Sequence, residues 1–582
     1  MTTPQGTSTV TAQPEPPEGG GQPYVVRNDY TSVEVPELGE WEPTLSVSVV
    51  LPAHGHQEKL DLVLAALSVQ SYPSELLEVI VVDDGSPEPL RLGPVVPENV
   101  RLIRATEGAW GSAHAVNCGV EASTGDVVLR LDADMLVFRE HVESQLRWHH
   151  QLDYAAVLGH KLFVDWDPQR YSAEQVRDEV AAGRAGELFD PSTADPHWIE
   201  RNINKTNQLR TAGRLAYKVF IGATGSVHRS LFDRAGGLDP ELVLGGDTEF
   251  AFRLHQQGAV FVPDLDTSSW HLGRTQMQTR REAGTRFRSP YVSNRVPDFH
   301  LRRKRPDRLW EVPYADVVVD VDGRTLEAVD TTASALLDGT TPDLRMWLVG
   351  PWSELEDGRR SPLDEERLDL RLVQETFRGD PRVRFVESAP EPDPRVPFRL
   401  EAPAGAHPTR TVVADMVRVL DRKGAGLMCT PLPGATRAGG GLLRLERASS
   451  FARALHLEPG ARGTDLDRVV EKVAGTHWTP GAEFVVDEDA GGEEPPGPES
   501  RPAGGSDTKD GGRRKRASAE RKDAMRKERR ELERMNAEEL RRELERARGE
   551  TERLEARALR AERKLRWSTP GFGRRLLGRM LR

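Results

Sequence analysis

Cysteine is nearly absent: Cys118 and Cys429 are the only two among 582 residues. Two thiols so far apart cannot build a disulfide framework, nor a zinc site by themselves, and a reducing compartment is the simplest setting for them. Long apolar runs are missing too. No stretch of about 18 apolar residues occurs, so no membrane-crossing helix is expected. The opening MTTPQGTSTVTAQPEPPEGGGQP has neither a basic start nor an apolar stretch and does not read as a secretory signal. These absences lead to the expectation of a cytoplasmic protein.

What is present is charge, unevenly spread. The formal net charge is −12, yet 26 basic side chains stand against 14 acidic ones between Lys509 and Arg582, so the remainder is strongly acidic. An acidic body argues against nucleic acid as the main partner.

Residues 1–45 are rich in Pro, Gly, Thr and Glu and show no apolar period. They read as a largely disordered tail, with a short docked segment at Tyr24–Val35. From Ser46 the pattern changes. SVSVVLPA, LLEVIVVDDGS, VRLIRA and GDVVLRLDADM read as strands, and the leucines and valine of Lys59–Gln70 recur at helical spacing. Strands alternating with helices predict a parallel α/β sheet over residues 46–305. Ligands bind such sheets outside the carboxyl ends of the strands, which is where Asp83–Asp84 and Asp132–Asp134 fall. Residues 306–486 echo this order as a second, smaller α/β unit, but its second strand ends in VGPWS where the first unit has VDDGS. Residues 487–512 read as a Gly/Pro/acid-rich linker. Residues 513–566 read as a long charged helix whose weak heptad seam suits a homodimeric coiled coil or a single solvated helix equally. Residues 567–582 form a basic amphipathic tail suited either to an anionic membrane face or to docking on the enzyme body.

Four groups of residues can carry chemistry. Asp132 and Asp134, two apart at a strand end, can hold a hard divalent cation that bridges a diphosphate; by itself, such a triplet more often marks a solvated loop. Asp83 and Asp84 can accept hydrogen bonds from a nucleobase imide or from ribose hydroxyls, or simply cap a turn. Asp247, in Gly245-Gly246-Asp247-Thr248-Glu249, is either an N-cap or a general base toward an acceptor hydroxyl, with Glu249 as an alternative hydrogen-bonding partner. His271 can complete a metal site as a neutral imidazole. Order and spacing together outweigh any one motif.

Taken together, VSVVLPA, VDDGS, LDADM and GGDTEF resemble glycosyltransferase family 2 of the GT-A (nucleotide-diphospho-sugar transferase) fold, over roughly residues 46–300. The resemblance implies a Rossmann-like sheet and a nucleotide-sugar site at Pro52, Ala53, Asp83, Asp84, Asn117 and Asp132. It implies Mn²⁺ or Mg²⁺ at Asp132 and Asp134, with His271 as a third ligand, and Asp247 as base, Glu249 beside it. Two departures stand out: Gly246 replaces the family's usual Glu, and Val116 its usual Arg in the segment Ala115–Gly119. The second unit resembles a degenerate copy of the same domain. The implied activity is inverting transfer from a nucleotide sugar, UDP-linked by preference, to a glycan or glycolipid acceptor of the cell envelope, with the basic tail at the inner membrane face. A catalytically weak scaffold and a nucleotidyltransferase are the rival readings. The loop PAHGHQEKL lacks the Gly-rich basic character expected of the latter.

Overall fold

The computed structural model describes residues 21–486, except 197, 306, 307, 360 and 433–440. The linker, charged helix and basic tail expected at 487–582 therefore lie outside the described residues, as do residues 1–20.

Apolar β-branched runs build the first unit. Its strands are β1 (Val47–Ala53), β2 (Leu77–Asp83), β3 (Val100–Arg104), β4 (Val127–Leu131), β5 (Met135–Val137), β6 (Ala155–Gly159), β7 (Leu162–Val164), β8 (Asp195–Pro196), β9 (Thr224–His228), β10 (Val260–Asp264) and β11 (Ser269–Leu272). Seven of them form the main sheet in the order β10-β6-β9-β4-β1-β2-β3. All its neighbours are parallel except β9, which runs antiparallel to both β4 and β6. A four-stranded sheet, β5-β11-β7-β8, lies beyond it. The chain passes from the large sheet to the small one three times: between β4 and β5, between β6 and β7, and between β10 and β11. Asp132–Asp134 occupy the first passage and His160–Lys161 the second.

Helices α1 (Gln57–Leu67), α2 (Ser112–Glu121) and α3 (His141–Gln151) cover the sheet. Val47, Val49 and Leu51 point to one core with Leu60, Val63 and Leu64 of α1. Val50 points to the other face, with Ala115 and Val116 of α2. This two-sided burial is why β1 reads as a continuous apolar run rather than an alternating one.

The second unit holds β12 (Ala315–Asp320), β13 (Leu344–Val349), β14 (Val383–Val386), β15 (Phe398–Glu401), β16 (Leu427–Pro431), β17 (Leu442–Arg447) and β18 (Thr476–Trp478). Its order is β14-β13-β12-β15-β17-β16-β18. Counting main-sheet strands in chain order, both units read 3-2-1-4-6-5-7, and in both only the sixth strand is antiparallel. The second sheet thus has as many strands as the first; what it lacks, among the described residues, is a counterpart of the small sheet. The registers also superpose. Val47 pairs with Leu77 and Val127, and Ala315 with Leu344 and Phe398. By that register Gly350 and Pro351 stand where the first unit has Asp83 and Asp84, and Pro403 and Gly405 where it has Asp132 and Asp134. The repeat of topology is complete, while the acids are not repeated.

In the amino-terminal segment, residues within Tyr24–Val35, the expected docked stretch, pack on the rest of the chain. Val25, Tyr30 and Val33 are buried. The Asn28 amide donates to the carbonyls of Leu209 and Phe261 and accepts from the Phe261 N–H, and the Trp41 indole donates to Glu143. A few well-placed apolar and amide side chains anchor a stretch whose composition is loop-like.

Candidate active site

The carboxyl end of β2 carries Asp83 and Asp84. Asp83 is buried and its carboxylate accepts from the N–H groups of Ser86 (2.8 Å) and Leu90 (3.3 Å). Burial alone would raise its pKa, but these hydrogen bonds and nearby Arg104 hold it below the usual carboxylate range. Asp84 donates its N–H to the Ala53 carbonyl (2.9 Å), and its carboxylate accepts from the Gly111 N–H (2.8 Å). Gly111, at φ 98°, is the residue before α2; an L side chain would be strained in that conformation. Pro52 and Ala53 lie alongside Val82 and Asp83 in the parallel ladder. These four residues therefore sit together at one strand-end crevice.

Asn117 is engaged within the protein. Its amide donates to the Leu238 carbonyl (2.8 Å) and accepts from the Leu238 N–H (2.9 Å), tying α2 to the loop that precedes Gly246. Both ends of the side chain are thus taken by backbone, unlike the ligand contact expected of it.

Asp132 and Asp134 follow β4 directly. The Asp132 N–H is held by the Ala223 carbonyl, and the Asp134 carbonyl by the Leu272 N–H, which fixes the passage between the two sheets. His271, on β11, is 3% exposed. Its Nδ1 lies 2.9 Å from the Gly273 carbonyl, and its Nε2 lies 3.6 Å from Asp134 Oδ1. Burial lowers the imidazole pKa, so the ring is neutral, donating from Nδ1 and presenting the Nε2 lone pair beside the carboxylate. An orienting hydrogen bond on the far nitrogen is the arrangement that prepares an imidazole for a metal. Among the described residues, no three His, Cys, Asp or Glu side chains gather into a metal cluster of their own. Asp134 and His271 are a pair of donors, and Asp132 stands off with Arg130.

Residues missed in the sequence complete the picture. Arg130, inside β4, bridges Asp132 (3.2 Å) and Asp247. Its signal was a charged residue in an otherwise apolar strand two places before the acids. Lys59 Nζ, from α1, lies 3.7 Å from Asp134 Oδ2 and donates to the Leu272 carbonyl. Asp132 is raised to about 6, first by burial and then by Asp134 and Asp247, against the pull of Arg130. Its side chain is still about one-third exposed.

Further along, α4 (Ala173–Ala181), α5 (Trp198–Lys205) and α6 (Arg229–Ala235) precede α7 (Gly246–Gln256). Asp247 is in the first turn of α7, where the helix dipole favours an anion. Gly245, at φ 95°, admits the turn into α7; a Cβ there would come 2.6 Å from Val292 Cγ2. Burial works to raise the Asp247 pKa, but Arg130, the Gly222 N–H and Lys161 bring it below the ordinary value. Glu249 is spent elsewhere: both its oxygens are held by Arg253, at 2.6 and 2.7 Å, and it is 4% exposed. The catalytic role expected of Glu249 therefore competes with a buried bidentate pairing to Arg253, one helical turn away, that takes one lone pair of each oxygen.

The first unit thus brings Asp132, Asp134, Asp247, Arg130 and His271 together at the carboxyl ends of an α/β sheet. Residues 48–228 match the sequence model of glycosyl transferase family 2. Chondroitin synthase of Escherichia coli is 25% identical over 361 residues, covering 58% of this chain and 50% of that protein. Glycosyltransferase AglE of Haloferax volcanii is 33% identical over 216 residues, 36% of this chain and 62% of that protein. The chain thus spans half to about three fifths of the length of these curated relatives. Among solved structures, mannosyltransferase PcManGT from Pyrobaculum calidifontis in complex with GDP-Man and Mn²⁺ is 21% identical, covers 43% of this chain and 60% of that one, and gives a TM-score of 0.29.

Proposed function

We propose that the first unit transfers a sugar from a nucleoside-diphosphate sugar to a hydroxyl acceptor, by a single displacement that inverts the anomeric carbon. The observation that carries this reading is the meeting of Asp132, Asp134 and Asp247 in one electrostatic neighbourhood, beside the crevice of Asp83 and Asp84. The crevice suits the nucleoside: Asp84 and the end of β1 can face its ribose and base, while Asp83 braces the turn. Asp134 and neutral His271 fit a Mn²⁺ or Mg²⁺ ion, because hard divalent cations in phosphate chemistry take one or two protein donors and fill the rest with phosphate and water oxygens. When bound, such an ion neutralises the charge that develops on the leaving diphosphate.

The chain's own residues do the remainder. Asp247, ionised at neutral pH, accepts the proton of the acceptor hydroxyl as that oxygen attacks the sugar. Arg130 keeps Asp247 charged and positioned between turnovers and must loosen its grip for the carboxylate to act as base. The second unit repeats the fold without the acids, so its role is in the assembly rather than in chemistry. The acceptor is a glycan or glycolipid of the cell envelope, and the protein works at the cytoplasmic side.

The test is a transfer assay with thermal unfolding as a folding control. Asp134→Asn and Asp247→Asn are each expected to cut turnover by about 100-fold or more at unchanged cooperativity of unfolding. Chelation is expected to abolish turnover and added Mn²⁺ to restore it. UDP-sugars with Mn²⁺ are expected to raise the melting temperature of the wild type. Near-normal turnover in both variants would refute the assignment.

A further inference from the structure

Lys161 is a cation without a partner at the centre of this site. It is 1% exposed, and among the described residues no carboxylate lies within ion-pair distance of its ammonium, nor does it donate a side-chain hydrogen bond. The fold explains where it sits. β4 and β6 run parallel to one another on either side of β9, so their carboxyl ends flank the start of β9 at Ala223–Thr224. One flank carries Asp132–Asp134 and the other His160–Lys161, each in a passage to the small sheet. That sheet also brings His271 opposite Phe163, two residues beyond Lys161. Asp132, Asp247 and Glu200 of α5 all attract the ammonium, while His160, His141 of α3 and His271 feel its charge. It therefore lies within electrostatic reach of both the metal-side acids and the base.

A buried, unpaired ammonium is costly unless something supplies an acceptor. Burial brings the Lys161 pKa to about 8, against the pull of the three carboxylates, so the group remains charged at neutral pH. Two of the acids around it, Asp132 and Asp247, already pair with Arg130, while Glu200 lies 4.0 Å from His160 Nε2.

We infer that Lys161 binds an anionic oxygen of the donor. Two chemical sources offer such an oxygen: the diphosphate, common to all donors, and a carboxylate carried by the sugar itself, present only in uronates. The inference rests on the proposed transferase reading and adds to it a donor-contacting residue that no sequence motif marks.

Calorimetric titration of the full chain with UDP, UDP-glucose and UDP-glucuronate in Mn²⁺ separates the cases, using wild type, Lys161→Met and Lys161→Arg. An ammonium that contacts the donor is expected to contribute about 10- to 100-fold in affinity. An equal loss for all three ligands in Lys161→Met assigns the contact to the diphosphate; a loss confined to UDP-glucuronate assigns it to the sugar carboxylate. Lys161→Met removes a buried charge, so its melting temperature is expected to hold or rise. That separates a binding role from a structural one. Lys161→Arg retains the charge and is expected to keep most of the affinity, so it carries the comparison if the Met variant fails to fold. Unchanged affinity for all three ligands in a folded Lys161→Met overturns the inference while leaving the transferase reading intact. Failure of the wild type to bind any nucleotide sugar, including guanosine-linked ones, overturns the transferase reading and this inference with it.

Discussion

Arg130 and Asp247 stand 117 positions apart in the chain and form an ion pair across the mouth of the site. The same guanidinium reaches Asp132. One cation inside β4 therefore links the diphosphate side of the site to its base, and it holds Asp247 below the usual carboxylate pKa in spite of burial. Among the described residues, Arg130 Nε is buried and has no hydrogen-bond partner.

Replacing Arg130 by Met should move the acid limb of the pH–rate profile upward. Arg130 lowers the Asp247 pKa, so its removal raises it, and the base becomes protonated at higher pH than in the wild type. The profile of kcat/KM against pH checks this. An acid limb at the wild-type position would remove Asp247 from the role of base or Arg130 from its control.

Glu249→Gln should damage stability rather than chemistry. The carboxylate is nearly buried and paired at both oxygens with Arg253, so the substitution leaves a guanidinium under-partnered at a cost of about 3 kcal/mol. Urea unfolding should show the loss, while turnover per folded molecule stays within a few-fold of wild type. Asp247→Asn should show the opposite pattern.

Acid should weaken the fold below about pH 6.5, the ordinary value for histidine. His141 and His149 are buried, and burial lowers both to about 3. In the unfolded chain they bind protons at their ordinary pKa. The unfolded state thus holds more protons between pH 6.5 and 3, and stability falls as pH drops through that window. Two such groups amount to at most about 3 kcal/mol per pH unit. Urea midpoints at pH 7.5 and 5.5 measure the effect, and His149→Gln should remove part of it, since His255 is lowered to about 3 as well.

Arg453→Met should uncouple the two units. Arg453, in the second unit, donates to the carbonyls of Gly258 (2.7 Å), Ala259 (3.0 Å), Val25 (3.0 Å) and Arg27. Stranding those carbonyls costs about 3 kcal/mol or more. Calorimetry should show one thermal transition in the wild type and two in the variant; a single unshifted transition would show that other contacts carry the coupling.

The sequence by itself determined the alternation of buried strands and helices. It also placed the acids Asp83, Asp84, Asp132 and Asp134 at strand ends, because apolar β-branched runs must be buried and the first polar residues after them must emerge at the sheet's edge. It determined likewise that a second unit echoes the first and that VGPWS stands where VDDGS would. Tertiary structure alone decided which polar residues face one another. Arg130 and Asp247 meet because β4 ends, and α7 begins, beside the chain that enters β9, a relation that no local spacing encodes. Glu249 and Asn117 looked like ligand contacts in the linear motif, yet each was claimed by a neighbour on the protein, Arg253 in one case and Leu238 in the other. Lys161 carried no motif at all. Its importance follows from burial without a partner, and burial is a property of the packed molecule, set by long-range strand order rather than by the residues on either side.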